Sequence, residues 1–257
     1  MCCYRRNIFR AIHGMTSAQD IFLRTLQERS RLQPLDESAA RSLSARVRRL
    51  QPDEDLVREG DEPEAAALVL EGVDARYHTL ANGKRRYLSF HISGDLPDAQ
   101  TLFVEKMDHA VCAVGKAQVA MIAHEDILTL FKQRPLIGLA IWRKTLIDAA
   151  IFREAITNNS TRPPRTRMAH LFCELYCRAR SSGLEKIGTL HLPLHQAQLG
   201  DALGMSLVTV NRTLQALCRT GAMEFRNGEL SVRDWKRLAD IGEFDQTYLH
   251  LRAPPRL

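Results

Sequence analysis

The chain has 257 residues, 45% of them hydrophobic and 26% charged, and a formal net charge of +6. That composition is ordinary for a soluble globular protein, and the length allows two domains. No apolar run approaches the roughly 20 residues that span a bilayer, and the basic first 14 residues lack the apolar stretch of a signal peptide. A cytoplasmic protein with no membrane partner is expected.

The charge is unevenly spread. Residues 1–50 hold ten Lys/Arg against four Asp/Glu, residues 51–160 twelve against seventeen, and residues 161–257 fourteen against nine. A basic C-terminal third suits attraction to a polyanion, and the acidic middle suits another task. The six cysteines (Cys2, Cys3, Cys112, Cys173, Cys177 and Cys218) form no pair of CxxC motifs, which argues against a zinc site or a disulfide framework. Cys173 and Cys177 are four apart, on one face of a helix, and read as packing residues.

In chain order, residues 1–50 read as a basic, helical N-terminal extension. Ile21, Phe22 and Leu26, then Leu43, Val47 and Leu50, fall at helical spacing, and Pro52 ends the run. Residues 51–134 change character. Ala67-Leu-Val-Leu70, Arg86-Tyr-Leu-Ser-Phe90 and Val119-Ala-Met-Ile122 are short strand-like runs punctuated by Gly60, Gly72, Asn82-Gly83 and Gly94, the pattern of a β-sandwich or barrel.

Residues 124–158 read mostly as helix, and residues 135–160 as a dimerisation helix and hinge. Leu139, Trp142, Leu146, Ala149 and Ile156 fit alternating steps of three and four, a seam able to pair with its own copy, interrupted at Arg153. Ile137, Ile141 and Ile151 make a second apolar face, so two partners are expected: the sandwich and a second subunit. Asn158-Asn-Ser-Thr-Arg-Pro-Pro164 reads as a linker. Residues 161–240 form the next unit and residues 241–257 a C-terminal tail.

Residues 192–219 carry the most information. Leu199, Ala202 and Leu203 share one face of a short helix, and Gly204 follows where the chain must reverse. Ser206 is a suitable N-cap for a second helix. Val210, Thr213, Leu214 and Leu217 recur at i, i+3, i+4, i+7 as its buried stripe. The opposite face presents Ser206, Leu207, Val208, Asn211, Arg212 and Gln215, side chains that donate, accept or touch a thymine methyl. Two strand-like runs then flank Asn227-Gly228, a type I′ hairpin signal, with Arg226 at the tip placed to reach a phosphate. Helix, turn, helix and hairpin make a winged helix-turn-helix, the second helix fitting a DNA major groove. A winged helix that contacts protein, in a nucleotide- or protein-binding signalling module, is the alternative reading. No nucleophile–base pair or phosphate-cradling glycine loop points to an enzyme.

An acidic β-rich unit, a long helix and a basic winged helix together resemble the Crp/Fnr family of bacterial transcription regulators. The resemblance covers roughly residues 50–235. Val69-Leu-Glu-Gly72, Asn82-Gly-Lys-Arg-Arg86 and Ser89-Phe-His-Ile-Ser-Gly-Asp-Leu96 look like the family's sandwich turns. It implies an α+β chain: a cyclic-nucleotide-binding-like jelly roll (a β-roll), a dimerisation helix and a C-terminal winged helix-turn-helix. It also implies a homodimer on palindromic double-stranded DNA, with RNA polymerase as a partner if the protein activates.

The family's recognition helix commonly begins Ser-Arg-Glu-Thr-Val-x-Arg, and this chain has Ser206-Leu207-Val208-Thr209-Val210-Asn211-Arg212. By that match Gln196, Ser206 and Thr209 meet phosphates, together with Arg226, and Arg212 reads a guanine. Leu207 and Val208, beside Asn211, give a different base preference. Gly94-Asp95-Leu96 resembles the family's effector turn, but the Arg-Ser-Ala stretch that pairs with a cyclic phosphate is Asp108-His109-Ala110. An aspartate there repels a phosphate. The effector pocket (Gly94, Asp95, Leu96, Asp108, His109) therefore reads as degenerate, and cyclic AMP is not expected. Cys2-Cys3 and Cys112 do not reproduce an iron–sulfur spacing, and His78, His91 and His109 are isolated histidines rather than a haem site. No cofactor and no metal is expected.

Overall fold

A computed structural model describes residues 17–184 and 188–251. Cys2 and Cys3 lie outside those residues, as does the end of the C-terminal tail.

Two short helices open the described chain, α1 (Ala18–Gln27) and α2 (Pro34–Arg41). Ser17 caps α1 in a reciprocal capping box with Asp20, and Pro34 opens α2, where a missing N–H costs nothing. The expected helical continuation to residue 50 is corrected: β1 (Arg46–Leu50) is a strand, so the β-roll begins before residue 51. The spacing of Leu43, Val47 and Leu50 suits a helix. Val47, however, is 52% exposed, and the strand is held by its pairing to β7 (Ala117–Ala123) rather than by an apolar face.

The β-roll has two sheets. One has the order β1-β7-β3, with β3 at Ala65–Glu71. The other pairs β2 (Asp55–Val57), β6 (Ala110–Ala113), β4 (Asp74–Thr79) and β5 (Arg85–His91) in the order β2-β6-β4-β5. Leu50, Leu56, Ala67, Val111, Ala113 and Val119 fill the space between the sheets. Ala66, Leu68, Ala120 and Ile122 point outward from the first sheet, against α1, α3 (His124–Gln133) and α4 (Pro135–Thr161).

The outer face of the second sheet is also apolar. Val73, Ala75, Tyr77, Tyr87, Phe90, Ala110 and Cys112 share one continuous core with the C-terminal unit. That unit consists of α5 (Pro164–Ser181), β8 (Thr189–His191), α6 (Gln196–Leu203), α7 (Leu207–Cys218), β9 (Met223–Arg226), β10 (Glu229–Val232) and α8 (Trp235–Gly242).

The linker expected over residues 158–164 is corrected to two residues, Arg162 and Pro163, and the 160/161 boundary falls within α4. The polar residues stay helical because their side chains find partners. Asn158 Nδ2 donates to the Arg167 carbonyl at 3.1 Å and Thr161 Oγ1 to the Thr157 carbonyl at 2.7 Å, while Arg162, just past the helix end, pairs back to Glu154 at 2.6 Å. The start of the C-terminal tail is docked, not free. Leu249 is fully buried and its carbonyl accepts from Arg29 Nε at 3.1 Å.

Pro135 separates α3 from α4, and the elbow closes where the Phe131 ring lies on Gly138 with no room for a Cβ. Gly138→Ala gains about 1 kcal/mol of helix propensity but overpacks the elbow, which costs about 1–3 kcal/mol. A net loss of stability is expected, read as a lower urea midpoint.

Candidate DNA interface and sensor pocket

The helix-turn-helix forms as the residues require. Gly204 ends α6 in the left-handed region at φ 63°, and Ser206 caps α7 by accepting from the Thr209 amide. Val210, Thr213, Leu214 and Leu217 are buried, with Leu199 and Leu203 beneath them. Asn227 and Gly228 both have positive φ (52° and 73°), as a type I′ wing turn needs.

The other face of α7 is open. Leu207 and Val208 are 58% and 79% exposed, and Ser206, Asn211 and Arg212 are also exposed. Gln196, half-buried at the start of α6, accepts from Asn211 Nδ2 at 3.3 Å, and Asn211 Oδ1 accepts from Gln215 Nε2 at 2.9 Å. Ser206 Oγ and Thr209 Oγ1 lie 2.9 Å apart. Arg212 has no ion-pair partner among the described residues. Arg226 stands exposed at the wing. Seven of the eight DNA-reading candidates thus fall on one α6–α7 surface, with Arg226 on the adjoining hairpin.

The sensor candidates divide. Leu96, Asp108 and His109 line a cavity of about 370 Å³ together with Arg76, Lys144 and Asp148. Gly94 and Asp95 do not. Gly94 offers its carbonyl to Thr25 Oγ1 at 2.8 Å. Asp95 turns away from the cavity: its carboxylate pairs with Arg178 of α5, in the C-terminal unit, and, at 3.0 Å, with Lys144 of α4. The placing of Asp95 in the effector pocket is therefore corrected: it bolts the sensor turn to α5.

Arg178 is 5% exposed and also reaches Glu174 at 3.0 Å and the Phe90 carbonyl at 3.3 Å. Burial opposes the Asp95 charge, but Arg178 and Lys144 outweigh it and hold the carboxyl well below its ordinary range. Beyond Glu174 the network continues to Tyr248, whose hydroxyl donates to Glu174 Oε2 at 2.9 Å.

Three charged residues of the cavity, Arg76, Lys144 and Asp148, were not singled out from sequence. Arg76, buried on β4, pairs with Asp148 of α4 at 2.5 Å, and its Nε donates to the Pro97 carbonyl at 2.7 Å. Its guanidinium also lies over the Phe152 ring. An arginine between Ala75 and Tyr77, both buried, was the available signal: strand alternation puts it on the inner face. His109 stands 2.7 Å from Asp108, yet burial first and Arg76 second push it below the ordinary histidine range, so it carries no charge near neutrality.

On the α4 seam, Leu139, Trp142, Leu146 and Ile156 are 52%, 53%, 53% and 68% exposed, while Ile137 and Ile141 are fully buried on the β-roll side. Ala149 departs from the seam and lines the 370 Å³ cavity.

Asp95→Asn leaves Arg178 buried beside one carboxylate instead of two. A loss of about 3 kcal/mol at neutral pH is expected from urea unfolding, the low end for a broken buried pair because Glu174 remains. The folded-state pKa of Asp95 is depressed, so its contribution is present above the ordinary aspartate value and lost as pH falls below it. The gap between variant and parent therefore narrows in acid.

Residues 47–134 match the cyclic nucleotide-binding domain family, and residues 166–241 the Crp-like helix-turn-helix domain. The chain is 26% identical over 171 residues to the nitrogen fixation regulation protein FixK of Bradyrhizobium diazoefficiens, spanning 66% of this chain and 70% of that one. It is 23% identical over 200 residues to the transcriptional activator protein FnrL of Cereibacter sphaeroides, spanning 75% and 79%. Among solved structures, FixK2 from Bradyrhizobium japonicum superposes with a TM-score of 0.68 at 22% identity, over 77% of this chain and 98% of that one. The chain belongs to the Crp/Fnr family of helix-turn-helix transcription regulators and is not an enzyme.

Proposed function

We propose that this regulator works as a homodimer that reads a two-fold-symmetric DNA site through α7, and that its sensor does not take cyclic AMP. The observation that carries the reading is the division of α7: one face is locked into the core, and the other presents Arg212 free beside exposed Leu207, Val208 and Asn211. Arg212 supplies a bidentate donor pair for guanine, while Leu207 and Val208 offer methyl contacts and no hydrogen bonds. Gln196, Ser206, Thr209 and Arg226 surround that face as phosphate contacts that set register.

The apolar strip of α4 supports the dimer. It continues into a groove of about 590 Å³ lined by Phe103, Val104, Phe131, Leu139 and Trp142, which the partner's helix would fill. In the sensor cavity both cations are already engaged, Arg76 by Asp148 and Lys144 by Asp95, and Asp108 sits exposed at its edge. A cyclic phosphate finds no free cation there. Cys112 is buried with its thiol pushed up to about 12, which suits packing and not an iron–sulfur ligand. With FnrL named an activator, RNA polymerase is the further partner, and the cytoplasm the place of action.

Selection from a random duplex library with no small molecule added should enrich a palindrome, and no enrichment would contradict an effector-free regulator. On the enriched site, Arg212→Ala should cost about 1–3 kcal/mol and relax one base pair per half-site, whereas Gln196→Ala should weaken all sequences evenly. Equal sequence preference in parent and Arg212→Ala would remove that role.

Leu146→Glu sets a charge in the apolar seam. Sedimentation at micromolar concentration should change from dimer to monomer, and an unchanged dimer would place the interface elsewhere.

A further inference from the structure

Inside the β-roll, next to the sensor cavity but not part of it, lie two carboxyl groups that neither the DNA interface nor the pocket uses. Asp74 of β4 is fully buried, and neither of its oxygens accepts a hydrogen bond from any described residue. Asp98 is 1% exposed, and its two oxygens accept from the Ala67 amide of β3, at 2.9 and 3.1 Å, and from its own backbone amide, with no cation bonded to them among the described residues. Each lies in an interior that disfavours an ionised carboxylate with no cation bonded to it.

The surrounding charges give little relief. On β4, Arg76 acts on Asp98 without overcoming its burial, and it is already paired with Asp148. On β5, His91 stands in register with Asp74, but burial first and Arg76 second push it down to about 3, so it is neutral. On β6, Cys112 is a neutral thiol whose own value Asp74 helps to raise. Asp98 acts on Asp74 as a like charge. Burial pushes both carboxyls up, each to about 7, with the field of Asp98 adding to the effect on Asp74. A cavity of about 320 Å³, lined by Asp98, Asp61 and Glu62, opens on the other side of Asp98 and supplies a route for protons.

We propose that Asp74 and Asp98 form a proton-binding site in the sensor, and that its occupancy controls how firmly the DNA-binding unit is held. The transmitting segment is short. Asp98 is three residues from Asp95, the bolt to Arg178, and next to Pro97, whose carbonyl fixes Arg76 and through it Asp148 of α4. With the proton bound, the segment 95–98 stays hydrogen-bonded to Ala67 and Val69 of β3 and to the Arg76 side chain. Once both carboxyls ionise, they repel, Asp98 is driven toward the cavity, and both attachments are strained. The folded protein holds protons that the unfolded chain has already released. Stability therefore falls as pH rises from the ordinary aspartate range to about 7, and is lowest above it.

The test compares the full chain with Asp74→Asn, which keeps the shape and removes the charge. The parent's unfolding constant should rise by up to about tenfold per pH unit relative to the variant's between pH 5 and 7, read from urea unfolding. The variant should be the more stable of the two at pH 8. Parallel profiles would overturn the proton site. If the variant fails to fold, infrared spectra of the parent decide the matter. A protonated-carboxyl band present at pH 6 and gone at pH 9 is expected, and no such band would overturn the site.

Control of the DNA-binding unit is read separately and rests on the DNA-binding role proposed above. Affinity for the selected duplex at fixed ionic strength should vary with pH between 6 and 8 in the parent and lose that variation in Asp74→Asn. Identical affinity profiles would overturn the coupling. Absence of DNA binding in both proteins would overturn the DNA reading and leave the unfolding result standing.

Discussion

The four-stranded sheet of the sensor has an apolar outer face, and the rest of the architecture depends on covering it. Tyr77, Tyr87 and Phe90 lie on that face, buried by α5, α6 and the residues around them. Each such side chain removed from water contributes about 1.5–3 kcal/mol. A sheet with one wet face would need polar residues at these positions. The second domain is therefore not hung on a flexible tether: sensor and DNA-binding unit are two sides of one core. Polar contacts fix the alignment at its rim, where Arg86 pairs with Asp201 at 3.0 Å and Gln198 hydrogen-bonds Tyr87.

Within that contact the Asp95–Arg178 pair has a special status. A buried ion pair adds little net stability against an apolar replacement, yet removing one partner is expensive. Such a pair is better suited to fixing one arrangement than to strengthening it. It sits where the sensor turn, the long helix and α5 meet, because Lys144 of α4 shares the same carboxylate. Lys144 also lines the sensor cavity. Lys144 thus joins the cavity wall to the Asp95–Arg178 pair. Arg76 and Asp148 give a second, parallel connection from the cavity to α4.

The helix-turn-helix that carries the candidate DNA interface was the most legible part of the sequence, since it is a local object. Its glycine turn, N-cap, buried stripe and hairpin signal all lie within about 40 consecutive residues, and each kept its expected role. The strands at Ala67-Leu-Val-Leu70, Arg86-Tyr-Leu-Ser-Phe90 and Val119-Ala-Met-Ile122 were equally readable. Misreadings arose where long-range contacts decide. Arg46–Leu50 has a helical spacing and becomes a strand because β7 offers it an edge. Residues 158–161 have linker composition and stay helical because Arg167 and Thr157 carbonyls satisfy their side chains. Asp95 occupies a turn that resembles an effector site, but its partner Arg178 is 83 residues away, beyond the reach of any local pattern. Arg76 was passed over for the same reason: its meaning comes from Asp148 on another element.

The shared core is tested most directly by native-state hydrogen exchange on the intact protein. If the two units open together, the slowest amides of β4 and β5 and those of α5 exchange with the same free energy and the same dependence on denaturant. A lower free energy for α5 through α8, with the β-roll still protected, would show that the DNA-binding unit separates on its own and would contradict the account.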